Sequence, residues 1–97
     1  MASLYVSYFG SQDENAIANP ISSEIITTSV TSAAGGAIPA GALYAALWST
    51  VVHFATVGTG TPTASQANSM AIPGNWNTII RLPITNGTAL KIAAITG

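Results

Sequence analysis

Short runs of alternating apolar and polar residues, separated by glycine, proline and asparagine, extend along most of this chain. Such alternation is typical of strands with one buried face, and the breakers mark the turns between them. The predicted strands are Leu4–Phe9, Glu24–Val30, Trp48–Val57, Met70–Ile72, Thr78–Leu82 and Leu90–Ile95. A series of short strands with turn signals between them predicts an all-β fold, a small antiparallel β-sandwich or jelly-roll-like barrel.

The connecting segments carry their own signals. Ser32–Gly41 is predicted to be a flexible connector, because it is made of small residues, glycine and a proline. Leu43–Leu47 is open between a helical turn and a short strand. Pro73–Asn75 is predicted to be a turn. Asn86–Gly87 is the strongest hairpin signal in the chain, so the last strand is predicted to pair with the residues near Arg81.

The chain is expected to form a single domain over residues 1–97, since no linker, repeat or second compositional block interrupts it. Its first residues, Met1–Gly10, lack a basic region and begin to alternate at once, so they do not predict a signal peptide. We expect residues 1–10 to be an edge strand or an assembly arm that adds to a neighbour's sheet.

Ala40–Gly58 raises a membrane alternative, because it is uncharged and about as long as a spanning helix. Several of its residues are polar, including His53, and neither end carries the lysine or arginine that would anchor a span. Its second half is rich in β-branched and aromatic residues, which favour a strand. The prediction is a strand outside a membrane.

Charge is scarce. Charged residues make up 5% of the chain, and none lies between Glu24 and Arg81. The net charge is −1, and the two cations Arg81 and Lys91 are too few to follow a phosphate backbone, so nucleic acid is not an expected partner. A chain with so little charge has little repulsion against copies of itself, which indicates a protein that packs against partners.

Catalytic and metal-binding chemistry is not indicated. The chain has no cysteine and a single histidine, His53, with no nearby carboxylate to orient it, so a structural role is expected for that histidine. Asp13 and Glu14 are adjacent in a polar stretch but lack calcium-loop spacing. No nucleophile elbow or phosphate loop is present. We therefore expect no enzyme, no catalytic residue, no metal and no cofactor.

The second half of the chain resembles a family of small tailed-bacteriophage proteins. The similarity runs through Val51–Phe54 and Gly58, then Thr61–Ala64, then Met70–Gly74, and ends with Gly87 and Lys91–Ile95. In that family a strand ending in glycine is followed by a Pro-Thr-Ala-Thr loop, a turn with Pro-Ala-Gly and a closing Lys-Val/Ile-Ala-x-Ile strand. This chain differs in having Ser65 after the loop motif and no alanine in the turn.

The resemblance implies a structural virion protein on the capsid exterior. We expect a decoration or cement protein that binds between capsomers of the major capsid protein, as a homo-oligomer with a trimer favoured. Tryptophan and tyrosine are expected at the interface because they are enriched at binding hot spots, and the two cations near the Asn86–Gly87 turn are candidates to pair with acidic residues of a neighbour. The candidates are Trp76, Tyr5, Tyr8, Trp48, Arg81 and Lys91.

The alternative is a fibre-head or adhesin domain that binds a glycan on the host surface. Trp76 would stack on sugar and the Thr59–Thr63 loop would supply hydroxyl groups. This alternative predicts that the two elements lie side by side.

Overall fold

The computed structural model describes residues 2–10, 20–82 and 90–96, and every regular element in these ranges is a strand. The elements are β1 (Ala2–Phe9), β2 (Ser22–Thr28), β3 (Ala33–Ala34), β4 (Tyr44–Trp48), β5 (His53–Thr59), β6 (Met70–Ile72), β7 (Thr78–Arg81) and β8 (Leu90–Thr96). The predicted all-β fold class is confirmed.

The strands form two four-stranded antiparallel sheets. The front sheet has the order β2-β1-β4-β7, and the back sheet has the order β3-β8-β5-β6. The molecule measures 33 × 29 × 19 Å, and its short dimension fits two sheets stacked about 10 Å apart. The architecture is a small β-sandwich.

The core lies between the sheets and comes from alternate residues of each strand. In β1, Leu4, Val6 and Tyr8 point inward, as the period of two requires. Side chains from the other inner strands complete the core: Ile26, Ala45, Leu47, Ala55, Ile72, Ile92 and Ala94. Because one face of every long strand is committed to this layer, the register of the strands is firmly specified.

The predicted strand Trp48–Val57 is two strands in the structure. β4 ends at Trp48, the chain crosses from the front sheet to the back sheet, and β5 begins at His53. The alternation looks continuous because both strands present apolar residues to the same core. The residues of the Ala40–Gly58 alternative thus form strands, and no helix in the described part of the chain is long and apolar enough to cross a bilayer.

The predicted hairpin between Arg81 and the last strand is wrong. β7 pairs with β4 in the front sheet, whereas β8 pairs with β3 and β5 in the back sheet. Asn86–Gly87 itself lies outside the described residues. The local turn signal predicted that β7 and β8 are neighbouring strands. Instead, β8 lies in the back sheet, where it is buried between β3 and β5.

The first strand is not an edge. β1 pairs with β2 through Ala2–Tyr8 and with β4 through Tyr5–Phe9, so strands lie on both sides of it. Its backbone groups are used within the chain, and it cannot serve as an arm without unfolding the front sheet. The reason is its fully apolar inner face, which requires a central position.

The Ser32–Gly41 connector is an ordered edge of the back sheet in the structure. Ala33–Ala34 pair with β8, and beyond them the Gly35 and Ile38 amides donate to carbonyls of β8 at 2.9 and 2.8 Å. The open choice at Leu43–Leu47 is resolved as a strand, β4.

Candidate functional site

The outer face of the front sheet carries large apolar side chains that are about half exposed or more. Tyr5 is 46% exposed, Ile25 61% and Ile79 53%. The register places Tyr5 between Ile25 of β2 and Trp48 of β4, so these three side chains form one row across the sheet. We call this surface the front face.

Tyr5 and Trp48 pack against each other on the front face. Their ring centroids lie 5.7 Å apart with the planes tilted by 52°, a geometry that aromatic pairs favour. Trp48 is half-buried as a result. The structure thus brings together two of the predicted interface residues at the centre of the sheet.

Arg81 lies at the edge of the front face. It is exposed on β7, the edge strand, and its partner in the register is Tyr44 of β4. Of the charged side chains in the described residues, only Arg81 belongs to this face, because Glu24 points inward and Lys91 lies in the back sheet. The front face is therefore nearly neutral.

Trp76 lies in a turn that is fastened to the crossover after β4. The Asn75 amide donates to the Ser49 carbonyl at 2.7 Å, and Asn75 has a positive φ of 57°. A Cβ on Gly74 would lie 2.9 Å from the Thr50 carbonyl oxygen, so the two backbones touch. Trp76 is 68% exposed on this rigid turn, at the end of β4 that carries Trp48.

Tyr8 is not an interface residue. It is 1% exposed and belongs to the core, because its position in β1 has the inward parity. Its hydroxyl donates to Glu24 Oε2 at 2.5 Å. Burial, the hydrogen bond to Glu24 and the charge of that carboxylate all raise the pKa of Tyr8 well above its usual range.

Glu24 is a residue whose role the sequence analysis missed. Besides the Tyr8 hydroxyl, its carboxylate accepts the Gly36 amide at 2.8 Å through Oε1, which ties β2 to the edge of the back sheet. A Cβ on Gly35 would lie 2.5 Å from Oε1, so a larger residue there would displace the Glu24 carboxylate. The available signal was parity, since Glu24 shares the inward face of its strand with Ile26 and Thr28.

Lys91 lies away from the front face. It is half-buried in β8, opposite Gly58 of β5, whereas Arg81 belongs to the other sheet. The two predicted interface cations therefore do not form one site. Sequence proximity to the same turn suggested that they would, and the separation of β7 and β8 into different sheets prevents it.

His53 is buried in the core with both ring nitrogens hydrogen-bonded. Nδ1 lies 3.0 Å from the Val51 carbonyl oxygen and Nε2 lies 2.6 Å from the Thr28 hydroxyl oxygen. A carbonyl can only accept, so Nδ1 carries a proton; where Nε2 carries none, it accepts from the Thr28 hydroxyl. This arrangement joins β2 to the start of β5 and leaves no nitrogen exposed for a ligand.

The two elements of the glycan alternative are apart. Trp76 lies beyond the end of β5 that begins at His53, whereas the Thr59–Thr63 loop leaves β5 at its other end. Seven strand residues separate these ends by about 20 Å. The predicted composite of tryptophan and threonine hydroxyls is not assembled.

Within residues 2–10, 20–82 and 90–96, no three histidine, aspartate or glutamate side chains are grouped as a metal site requires. Comparison with protein-family models gave no match, and neither did comparison with curated proteins or with solved structures. The resemblance to small phage proteins stays a prediction.

Proposed function

We propose that this protein is a structural virion protein that decorates and cements the head of a tailed bacteriophage. The observation that carries the proposal is Trp76, whose side chain is 68% exposed on a turn that is hydrogen-bonded to the crossover after β4. The nearly uncharged composition and the resemblance of residues 51–95 support the same role.

A rigid exposed tryptophan suits binding to another protein. Tryptophan offers a large contact area with few rotatable bonds, so it loses little conformational entropy when a partner covers it. The Asn75–Ser49 hydrogen bond and the close approach at Gly74 fix the turn before binding. Pre-organisation of this kind lowers the cost of association.

Val51 and Val52, in the crossover to which the turn is fastened, widen this contact. They are 43% and 48% exposed and lie on the stretch that accepts the Asn75 amide and touches Gly74. We call Val51, Val52 and Trp76 the end patch. It has no charged residue, so a capsid protein can cover it without desolvating a charge.

The proposed partner is the major capsid protein, and the proposed location is the capsid exterior. Cementing then works by mass action: a protein that binds the assembled shell but not its separated parts stabilises the shell. Many copies on a symmetric particle add their contributions, so weak individual contacts suffice. The role requires neither catalysis nor a cofactor.

Co-sedimentation with capsids tests the proposal. The full chain is mixed with purified empty capsids of the tailed phage whose genome encodes it, and bound protein is measured against concentration. Trp76→Ala is expected to weaken binding at least about 30-fold, the effect of a central hot spot. Gln66→Ala, at an exposed position in the loop over the back sheet, is the matched control and is expected to bind normally.

Two results would count against the proposal. If the wild-type chain does not sediment with capsids, the cement role is wrong. If it does so and Trp76→Ala binds equally well, the end patch is not the contact, and the proposal loses the observation that carries it.

A further inference from the structure

The two outer faces of the sandwich differ in how far their apolar side chains are covered. Over the back sheet lies the loop that follows β5: its Ala64 is 5% exposed and packs with Ala93 and Ile95 of β8. The Ala64 amide donates to the Ser32 hydroxyl at 2.9 Å, which holds the loop in place. The front face keeps Tyr5, Ile25 and Ile79 about half exposed or more.

The front face has the chemistry of an interface core. Its central row is Ile25, Tyr5 and Trp48, and the next row is Ser23, Ser7, Ala46 and Ile79. The Ser7 and Ser23 hydroxyls lie 3.1 Å apart and satisfy each other. The aromatic residues of the central row are of the types enriched in interface cores, whereas the serine and alanine residues of the next row are small enough to let a partner approach closely.

The charge distribution selects the partner. Arg81, at the edge strand, is the one charged side chain of this face among the described residues, and no described acid accompanies it. A strongly charged partner gains nothing from such a surface. A second copy can pack on it without placing like charges together at the centre, because Arg81 lies on the edge strand β7, whereas Tyr5 lies on the inner strand β1.

The area of the front face is that of a small interface. Its four strands are four to eight residues long and lie about 4.8 Å apart, so they cover roughly 20 × 25 Å, against about 800 Å² from each partner in a standard interface. Two sheets that pack face to face lie about 10 Å apart, the same arrangement that the chain uses for its own core. Stacking two front sheets therefore repeats on the outer faces the arrangement that the inner faces already adopt.

We infer that the front face is the contact of an isologous dimer, in which the front sheets of two copies of this chain stack about a two-fold axis. Ile25, Tyr5 and Trp48 are its centre. A glycan that stacks on both aromatic rings is a poorer fit for this face, because the Tyr5 and Trp48 rings are tilted by 52° and offer no common plane. This contact uses a different surface from the end patch, and it needs no capsid.

Sedimentation velocity and light scattering on the purified chain test the inference. The concentrations run from about 1 to 500 µM, because a small interface is expected to give a dissociation constant within this range. The test variant is Tyr5→Ser with Ile25→Thr, which removes both exposed side chains and keeps polar residues suited to a strand. The matched control is Val30→Thr, at a position that is 78% exposed but lies outside the sheet.

The wild type and the control are expected to be dimers, and the test variant a folded monomer with its dissociation constant raised at least about 30-fold. Circular dichroism establishes that the variant is folded. A wild-type monomer throughout the range overturns the inference. So does a trimer, because a two-fold contact closes at two copies, and so does a dimer that the double substitution leaves unchanged. Trp76→Ala is expected to stay dimeric, which separates this test from the capsid test.

Discussion

The hydrogen bond between Tyr8 and Glu24 makes a prediction that can be worked out in some detail. Tyr8→Phe keeps the buried ring and removes only the hydroxyl that donates to Glu24 Oε2 at 2.5 Å. A hydrogen bond to a charged group contributes about 1.5–3 kcal/mol. Glu24 is half-buried and keeps its bond to the Gly36 amide, so water can replace part of the loss. We expect the free energy of unfolding at pH 7 to fall by about 1–2 kcal/mol.

The pH dependence gives a sharper result. Burial, the bond to Glu24 and its charge raise the folded-state pKa of Tyr8 above its unfolded value near 10. The folded chain therefore holds this proton where the unfolded chain has released it. The contribution of Tyr8 to stability is complete below pH 10 and declines as the pH rises further, by about 1.4 kcal/mol for each pH unit.

Urea unfolding between pH 7 and 11.5, followed by circular dichroism, measures both effects. The free energy of unfolding of the wild type is expected to fall steeply above pH 10. Tyr8→Phe is expected to reduce that slope by about 1.4 kcal/mol per pH unit, the contribution of one proton. Tyr5→Phe is the matched control, since Tyr5 is 46% exposed on the outer side of the same strand. If Tyr8→Phe retains the full alkaline slope, the account of this buried pair is wrong.

Two further predictions concern close contacts in the core. Gly74→Ala is expected to destabilise the chain by about 1–3 kcal/mol, because the new Cβ would meet backbone of the crossover at 2.9 Å. Gly10→Ala is the control, since its Cβ would have contacts of 3.5 Å. Equal effects of the two substitutions would contradict the steric argument. Thr28→Val is expected to cost about 1–3 kcal/mol by leaving the buried His53 Nε2 without a donor. Thr27→Val, on the exposed side of the strand, should change little. Thermal and urea unfolding measure both pairs.

The sequence predicted much of the secondary structure, because the alternation of polar and apolar residues depends only on each strand having one solvent-exposed face and one buried face. It also predicted the turn at Pro73–Asn75, whereas the choice between exposure and burial for Trp76 was left to the tertiary structure, which exposes it. The alternation of β1 is enough to place Tyr8 inside, because Tyr8 lies on the same side of the strand as Leu4 and Val6. The prediction of Tyr8 as an interface residue, which rested on its residue type, was wrong.

Pairing could not be predicted in the same way. The strongest turn signal, Asn86–Gly87, suggested a hairpin, yet β7 and β8 lie in different sheets. Likewise, one alternating run became β4 and β5 because a crossover between sheets leaves the hydrophobic period intact. Local turn chemistry describes a few residues, whereas strand order depends on which arrangement buries the most apolar surface.

The sequence by itself determined that this chain forms short antiparallel strands and has almost no charge with which to attract nucleic acid. The tertiary structure decided which aromatics share a surface: it placed Tyr5 beside Trp48 on an open sheet face, put Tyr8 in the core against Glu24, and separated Arg81 from Lys91. The physical reason is that the period of two assigns each side chain to one side of its strand, and only the packing of two sheets determines which sides meet the core and which neighbours share a face.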